Sequence, residues 1–356
     1  MARYEIRALL PGDEDALHRV AKHLNSVNLP NDRARIAEIV ELSHGSFAEL
    51  IRKANEREYV FALIDRERDD RIIGTSMILA QLGRRGAPYI YFDVIEEEKY
   101  SASIDRHFHH TILRIGYSYD GPTEIGGLVM DPDYRNSTER LGTMISYVRF
   151  LYLAAHPARF KDEVVAELLP PLEPDGTSHL WEALGRKFTE MSYAEADVLS
   201  KKNKEFIKGL FPEGFIYASV LPKDAQDVIG KVGAQTKGVE KLLRRIGFRY
   251  AHRVDPFDGG PHFSATMEEI QPVRETRRTS SWLPLEGDAA AHPTRGPRRV
   301  RRGLVAVEYD AAPYFRAIPA DLVVGDEPDE PVRVGADAIE HLALEPGRTI
   351  LALPYG

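Results

Sequence analysis

Thr123-Glu124-Ile125-Gly126-Gly127-Leu128-Val129-Met130 runs into Asp131-Pro132-Asp133-Tyr134-Arg135, a polar stretch over 136–141, and then Gly142-Thr143-Met144-Ile145-Ser146-Tyr147-Val148-Arg149-Phe150-Leu151-Tyr152-Leu153-Ala154-Ala155. The first eight residues read as a strand, and Asp131-Pro132-Asp133 ends it. The last fourteen read as a helix with Met144, Ile145, Val148, Leu151 and Tyr152 on its inner face. A helix start offers unpaired N–H groups at the positive end of its dipole, the arrangement that holds pyrophosphate. Gly142 lets the backbone approach such a ligand, and Arg135 and Arg140 add charge-assisted contacts. A strand, turn and helix in this order are common, so the stretch takes its meaning from its surroundings.

Upstream, Tyr4, Ile6 and Ala8 alternate as a strand that Leu10-Pro11-Gly12-Asp13 breaks. Asp13 is a candidate N-cap for a helix through Leu17, Val20 and Ala21 toward Leu24. A second helix is expected over 32–54, with Gly45 as a point of division. Strand-like runs over 58–65 and 71–81, joined by a charged tip, form an antiparallel hairpin. Residues 86–123 are rich in Tyr, His and Glu, and only 89–91 and 111–113 read as strand. Downstream come a strand over 164–168, a helix over 178–188 and a helix–strand pair over 237–253. Four short strand-like runs follow, at 304–307, 321–324, 332–334 and 349–352. The organisation expected is a large α/β domain over 1–275, a basic Pro/Gly/Arg-rich linker over 276–302 and a small β module over 303–356.

Composition narrows the function. The 356 residues contain no cysteine, which excludes a disulfide framework, a Cys-ligated zinc site and any thiol nucleophile. The net charge of −8 gives no general attraction to nucleic acid. Arg274, Arg277, Arg278, Arg295, Arg298, Arg299, Arg301 and Arg302 form a local basic cluster without the aromatic platform that nucleic-acid binding uses. The charged N-terminus and the lack of an apolar run of about 20 residues argue against a signal peptide or membrane span, and the chain reads as cytoplasmic.

Leu180-Trp181-Glu182-Ala183-Leu184-Gly185-Arg186-Lys187-Phe188 and Lys241-Leu242-Leu243-Arg244-Arg245-Ile246-Gly247-Phe248-Arg249-Tyr250 share one plan, a helix that stops at glycine before basic and aromatic residues. Together with the hairpin and the strand–loop–helix, this resembles the element order of the GNAT acyltransferases, in an extended or duplicated form. Longer matches carry a closer resemblance: Asp131-Pro132-Asp133-Tyr134-Arg135, Val164-Val165-Ala166-Glu167-Leu168, Trp181-Glu182-Ala183-Leu184-Gly185-Arg186, Ala194-Glu195-Ala196-Asp197, Ala225-Gln226-Asp227-Val228-Ile229-Gly230, Gln235-Thr236, Gly247-Phe248-Arg249-Tyr250 and Phe257-Asp258-Gly259-Gly260-Pro261. In this order, over residues 1 to about 280, they resemble the arginine N-succinyltransferase family.

The resemblance implies an α/β (α+β) fold: a GNAT-like mixed sheet flanked by helices, with a small C-terminal β-barrel-like module. It implies direct transfer of succinyl, or a related acyl group, from succinyl-CoA or another acyl-CoA to the amine of arginine or a related amino acid, as part of arginine catabolism. It also implies assembly with identical or related chains; no metal, nucleic acid or membrane enters. Leu128 matches a CoA-contacting position, and the backbone of Leu128, Val129 and Met130 is placed to pair with pantetheine as an added strand would. Arg135, Arg140, Gly142 and Thr143 complete the expected cofactor site, although the loop before Gly142 lacks the family's glycines. Glu124 matches a family glutamate and is the candidate to take the amine proton, or else a structural carboxylate.

Two stretches depart from the family. Gly233 in Lys231-Val232-Gly233-Ala234-Gln235-Thr236 stands where the family has a histidine assigned as proton donor. An expected Tyr-Arg-Val-Gly appears as Tyr91-Phe92-Asp93-Val94. These changes keep open a second reading, a catalytically impaired homologue that serves as partner of an active subunit. His107, His109, His110 and His262 are candidate replacements for the lost histidine, and Tyr91, Tyr117 and Tyr119 candidate pocket or core residues.

Overall fold

A computed structural model of the chain describes residues 2–23, 28–135, 137–200, 203–285, 299–325, 327 and 329–355. In chain order the elements are β1 (Tyr4–Ala8), α1 (Glu14–Ala21), α2 (Arg33–Phe47), β2 (Glu58–Asp65), β3 (Arg71–Leu79), β4 (Tyr89–Ser101), β5 (Arg106–Ser118), β6 (Thr123–Met130) and α3 (Leu141–Ala155). Then come β7 (Glu163–Glu167), α4 (Arg186–Thr189), α5 (Tyr193–Ser200), α6 (Glu205–Leu210), β8 (Phe215–Tyr217), α7 (Lys223–Val228), α8 (Lys237–Arg245), β9 (Arg249–Val254) and β10 (Pro261–Thr266). The last are α9 (Gln271–Glu275), β11 (Arg277–Thr279), β12 (Trp282–Pro284), β13 (Arg301–Glu308), β14 (Phe315–Val323), β15 (Val332–Val334), α10 (Ala336–His341) and β16 (Ile350–Pro354). None of the described helices is long and apolar enough to cross a membrane.

The chain divides into two compact units that do not follow chain order. One comprises Met1–Ala80, Ile125–Phe160 and Ile270–Gly356, the other Gln81–Glu124 and Lys161–Glu269. In the first unit the strand order is β11-β16-β13-β14-β1-β2-β3-β6. β2 and β3 form the expected hairpin, and α1 and α2 pack Leu17, Val20, Ile36, Ile39 and Val40 against Val60, Ala62, Ile64, Met77 and Val129. Asp32 caps α2, its carboxylate accepting from Arg35 N at 2.8 Å. Asp13, expected to cap α1, does not: its carboxylate accepts from Leu10 N at 2.7 Å and pairs with Arg7 at 2.6 Å.

The C-terminal strands are not a freestanding barrel-like module. β14 hydrogen-bonds to β1 in the register Ile6↔Ala317 and Arg7↔Arg316, and α10 lies among the strands. Two pieces of the expected linker are strands: β11 is antiparallel to β16 and β12 parallel to β15, while residues 286–298 lie outside the described residues. Arg278, Arg301 and Arg302 of the basic cluster meet Glu308, Glu275 and Asp321, whereas Arg295 and Arg298 lie outside the described residues. α3 is buried almost all round because β2 and β3 pack on it and α9, β13 and β16 do so as well. The sequence pattern alone predicts only one buried face.

In the second unit β7, β10, β9, β4, β5 and β8 are successive antiparallel neighbours. Thr123 and Glu124 of β6 pair parallel with Val164 and Val165 of β7. Trp181 stacks on Phe257 with ring centroids 4.9 Å apart, at the centre of a core with Ile90, Phe92, Leu113 and Val254. β4 and β5 form one long hairpin of 13-residue strands, where the sequence showed only fragments. Their distal halves pair Glu96–Glu98 with His109–Thr111, so polar residues occupy both faces and no period-2 alternation is visible.

Candidate active site

In the first unit the site is built by β3, β6 and α3. Gly127 lies inside β6 with φ +55°, a left-handed conformation that interrupts the extended strand, as glycine does at a bulge. Met77 fills the space where a side chain would be: an added Cβ would come within 2.7 Å of its Sδ. This conformation is pinned by Thr75 Oγ1, which donates to the Gly127 carbonyl at 3.0 Å. Arg149 of α3 donates to the Gly126 carbonyl at 3.4 Å and to Ser146 Oγ at 2.7 Å. Burial pulls the Arg149 pKa down to about 9, which leaves it cationic at neutral pH, beneath the start of the site. β6 has β3 on one edge, and its pairing with β7 consists of the Thr123 and Glu124 positions. From Ile125 on, the second edge of β6 carries no strand among the described residues.

Leu128 and Met130 are half-buried on this edge strand, and Val129 points into the core. The Met130 carbonyl is already taken, accepting from Arg135 Nε at 3.2 Å, so Arg135 closes the strand end. Asp131 continues the closure by pairing with Arg71 at 2.7 Å. α3 begins after Arg140, which has φ +55° and makes no capping bond through its own side chain. A non-glycine residue in this region is strained by about 1 kcal/mol, a feature that concentrates at ligand sites. Gly142 is exposed with open space over its Cα, and Thr143 follows it half-buried. The strand-end and helix-start groups expected to bind cofactor belong to the same unit.

The second unit holds the other group. Glu124 is only 4% exposed and has partners of its own. Because Glu124 is opposite Val165, Glu167 lies two residues further along β7 on the same face, and Glu167 is directly opposite His262 of β10. His262 is fully buried on β10; its Nδ1 is 2.8 Å from Tyr89 Oη. One ligand-type atom from each of Glu167, Asp255 and His262 lies within 4.8 Å of the others. Burial, then the charges of Glu124 and Asp255, hold the Glu167 carboxyl well above the usual range. Burial, reinforced by Arg253 and Lys204, pushes His262 down to about 3, so its imidazole is neutral.

Sequence reasoning missed this convergence: Glu167 lay within a quoted motif and His262 was singled out by type, but Asp255 stood in neither group. Tyr91 lies over Gly116 beneath Arg253, and Tyr117 and Tyr119 are exposed beside Lys208, so Tyr89 is the tyrosine that reaches the site. His107 pairs with Glu98 at 2.7 Å on the exposed part of the hairpin. Gly233 has no room for a side chain: an added Cβ would be 2.6 Å from the Pro170 carbonyl oxygen, and Gly233 N donates to Leu169 O at 2.8 Å. A concavity of about 500 Å³ is lined by Asp13, Ala16, Arg19 and 68–72, none of them a candidate site residue.

The model of the family described as arginine N-succinyltransferase beta subunit matches residues 4–272. The chain belongs to the arginine N-succinyltransferase family. It is 31% identical over 291 residues to the arginine N-succinyltransferase of Shigella dysenteriae serotype 1 (strain Sd197), covering 80% of this chain and 83% of the relative. The same identity and coverage hold for that of Escherichia coli O139:H28. Among solved structures, the arginine/ornithine succinyltransferase subunit AI from Pseudomonas aeruginosa superposes with a TM-score of 0.78 at 25% identity, covering 100% of both chains. The fold is a mixed α/β architecture with a large mixed sheet, shared with that succinyltransferase subunit.

Proposed function

We propose that this member of the arginine N-succinyltransferase family is a cytoplasmic enzyme that transfers succinyl from succinyl-CoA to the amine of arginine or a closely related amino acid, in arginine catabolism and assembled with further copies or related chains. One observation carries the reading: β6 is interrupted at Gly127, bears no strand on its second edge from Ile125 among the described residues, and leads to the start of α3. An extended pantetheine arm fits the edge of Leu128 and Val129, and the amides at Leu141 and Gly142, with Arg140 and Thr143, suit its pyrophosphate.

Calorimetry with CoA and succinyl-CoA, followed by a thiol-release assay over L-arginine, L-ornithine and L-lysine, tests this reading. The cysteine-free chain contributes no thiol background. Absence of CoA binding refutes it. The lack of room at Gly233 favours one second reading, a CoA-binding partner subunit without turnover of its own. Binding without thiol release on any of the three amines selects that reading.

A further inference from the structure

Glu167 and His262 face each other across the β7–β10 ladder, with Oε1 and Nε2 3.6 Å apart. The Glu167 side chain keeps 32% of its surface accessible, and its carboxylate meets no hydrogen-bond donor among the described residues. His262 has no accessible surface, and its Nε2 is buried without a partner. Asp255 completes the convergence; one of its oxygens accepts from Phe257 N at 2.6 Å. An accessible carboxylate without a donor, next to an orphaned buried nitrogen, indicates a missing ligand.

The tautomer of His262 identifies the class of ligand. In the tautomer in which the Tyr89 phenol donates to His262 Nδ1, 2.8 Å away, the imidazole proton resides on Nε2, directed toward Glu167. In that tautomer Nε2 has no lone pair for a metal ion, and the site is read as one for a cation that donates hydrogen bonds. What remains is a pair of carboxylates, Glu167 and Asp255, steadied by an N–H, which matches a compact cation with several donors.

We propose that Glu167 and Asp255 receive the primary ammonium group of the acceptor amine, that Glu167 takes its proton, and that His262 is the positioning residue that orients Glu167. The inference rests on the acyl-transfer reading above and deepens it. Glu167 removes one proton from R–NH3+. The freed nitrogen lone pair bonds to the thioester carbonyl carbon, the C–S bond breaks, and the second nitrogen proton leaves with the CoA sulfur. The products are the amide, the CoA thiol and a protonated Glu167, which returns its proton to solvent through its accessible face. Glu124, buried on the same face, acts through Glu167: its charge, with that of Asp255, raises the basicity of Glu167, while Lys204 opposes this and Asp258 adds to it. The more accessible carboxylate, not Glu124, is the one that meets the amine.

The test uses the full chain, succinyl-CoA and L-arginine, with thiol release followed across pH and calorimetry of succinyl-CoA as the check that each variant is folded. Glu167→Gln should lower kcat/KM about 100-fold at neutral pH. Its residual rate should climb about tenfold per pH unit as free amine replaces the lost base. Glu167→Asp should recover part of the rate, and His262→Gln should shift the acidic limb of the pH profile without removing it. A Glu167→Gln enzyme within about threefold of the parent, or an acidic limb that disappears in Glu124→Gln but persists in Glu167→Gln, overturns the proposal. If the parent binds succinyl-CoA but releases no thiol, the acyl-transfer reading fails separately and L-arginine calorimetry decides the site. Binding weakened at least about tenfold by Glu167→Gln supports it; equal or absent binding overturns it. Saturable zinc binding that Glu167→Gln abolishes, with L-arginine binding unchanged, also overturns it in favour of a metal.

Discussion

Replacing Gly127 with alanine separates the left-handed conformation inside β6 from the rest of the site. At φ +55° an alanine costs about 1 kcal/mol relative to glycine. Its Cβ would also lie 2.7 Å from Met77 Sδ and 2.8 Å from Met77 Cγ, so that side chain must move. Met77 is 1% exposed and packed among Val60, Ile72 and Val129, where forced repacking costs about 1–3 kcal/mol. The expected loss is thus about 2–4 kcal/mol, read as a lower urea midpoint with unchanged slope. A strand that escapes the strain by flattening loses the Thr75 Oγ1 bond to the Gly127 carbonyl and redirects the Leu128 amide, so succinyl-CoA should bind at least about tenfold more weakly. Met77→Ala alone opens a cavity and is destabilising, yet it removes the clash. In the double variant the two losses should add to less than their sum by about 1–3 kcal/mol. If Gly127→Ala stays within about 0.5 kcal/mol of the parent and keeps its CoA affinity, the left-handed Gly127 is not what shapes this site; strict additivity would remove the Met77 contact as its cause.

Glu5 tests the anchoring of the C-terminal strands. Burial would raise its pKa, but hydrogen bonds from Arg316 and His341 and the charges of Arg316 and Arg66 hold it at about 2, against an ordinary 4.5. Because the folded value is the lower one, about 3 kcal/mol of stability is present above pH 4.5 and lost as pH falls toward 2. Glu5→Gln should cost about that much in neutral denaturation curves and converge with the parent near the acid end; a constant offset at every pH would contradict this. Gly233→His should not raise turnover and should lower stability, since its Cβ meets the Pro170 carbonyl at 2.6 Å; a gain in thiol release would show that the loop accepts the family histidine. Arg140→Gly should stabilise the fold by about 1 kcal/mol by relieving a left-handed φ, yet weaken succinyl-CoA binding, and a variant that gains stability at full affinity removes Arg140 from the site.

Local information was enough for the part of the molecule read first. The alternation of β6, the proline stop at Pro132 and the apolar run of α3 are short-range signals, and the structure places the strand and helix within a residue of where they were expected. The β2–β3 hairpin was legible for the same reason, and the ordered motifs fixed the family because they depend on residue identity alone. The β4–β5 hairpin was illegible because its distal half is polar on both faces. The linker strands were illegible because Arg277–Thr279 is held by backbone bonds to β16, which side-chain patterning does not report.

The amino-acid sequence by itself determined the family, the strand–loop–helix, and the exclusion of thiol chemistry by a chain without cysteine. Only the tertiary structure decided that the C-terminal strands pair with β1, that Gly233 has no room for a side chain, and that Glu167, Asp255 and His262 converge. Such convergence depends on strand register. A one-residue slip between β7 and β10 would turn His262 to the other face of the sheet, and nothing in the local sequence of either strand sets that alignment.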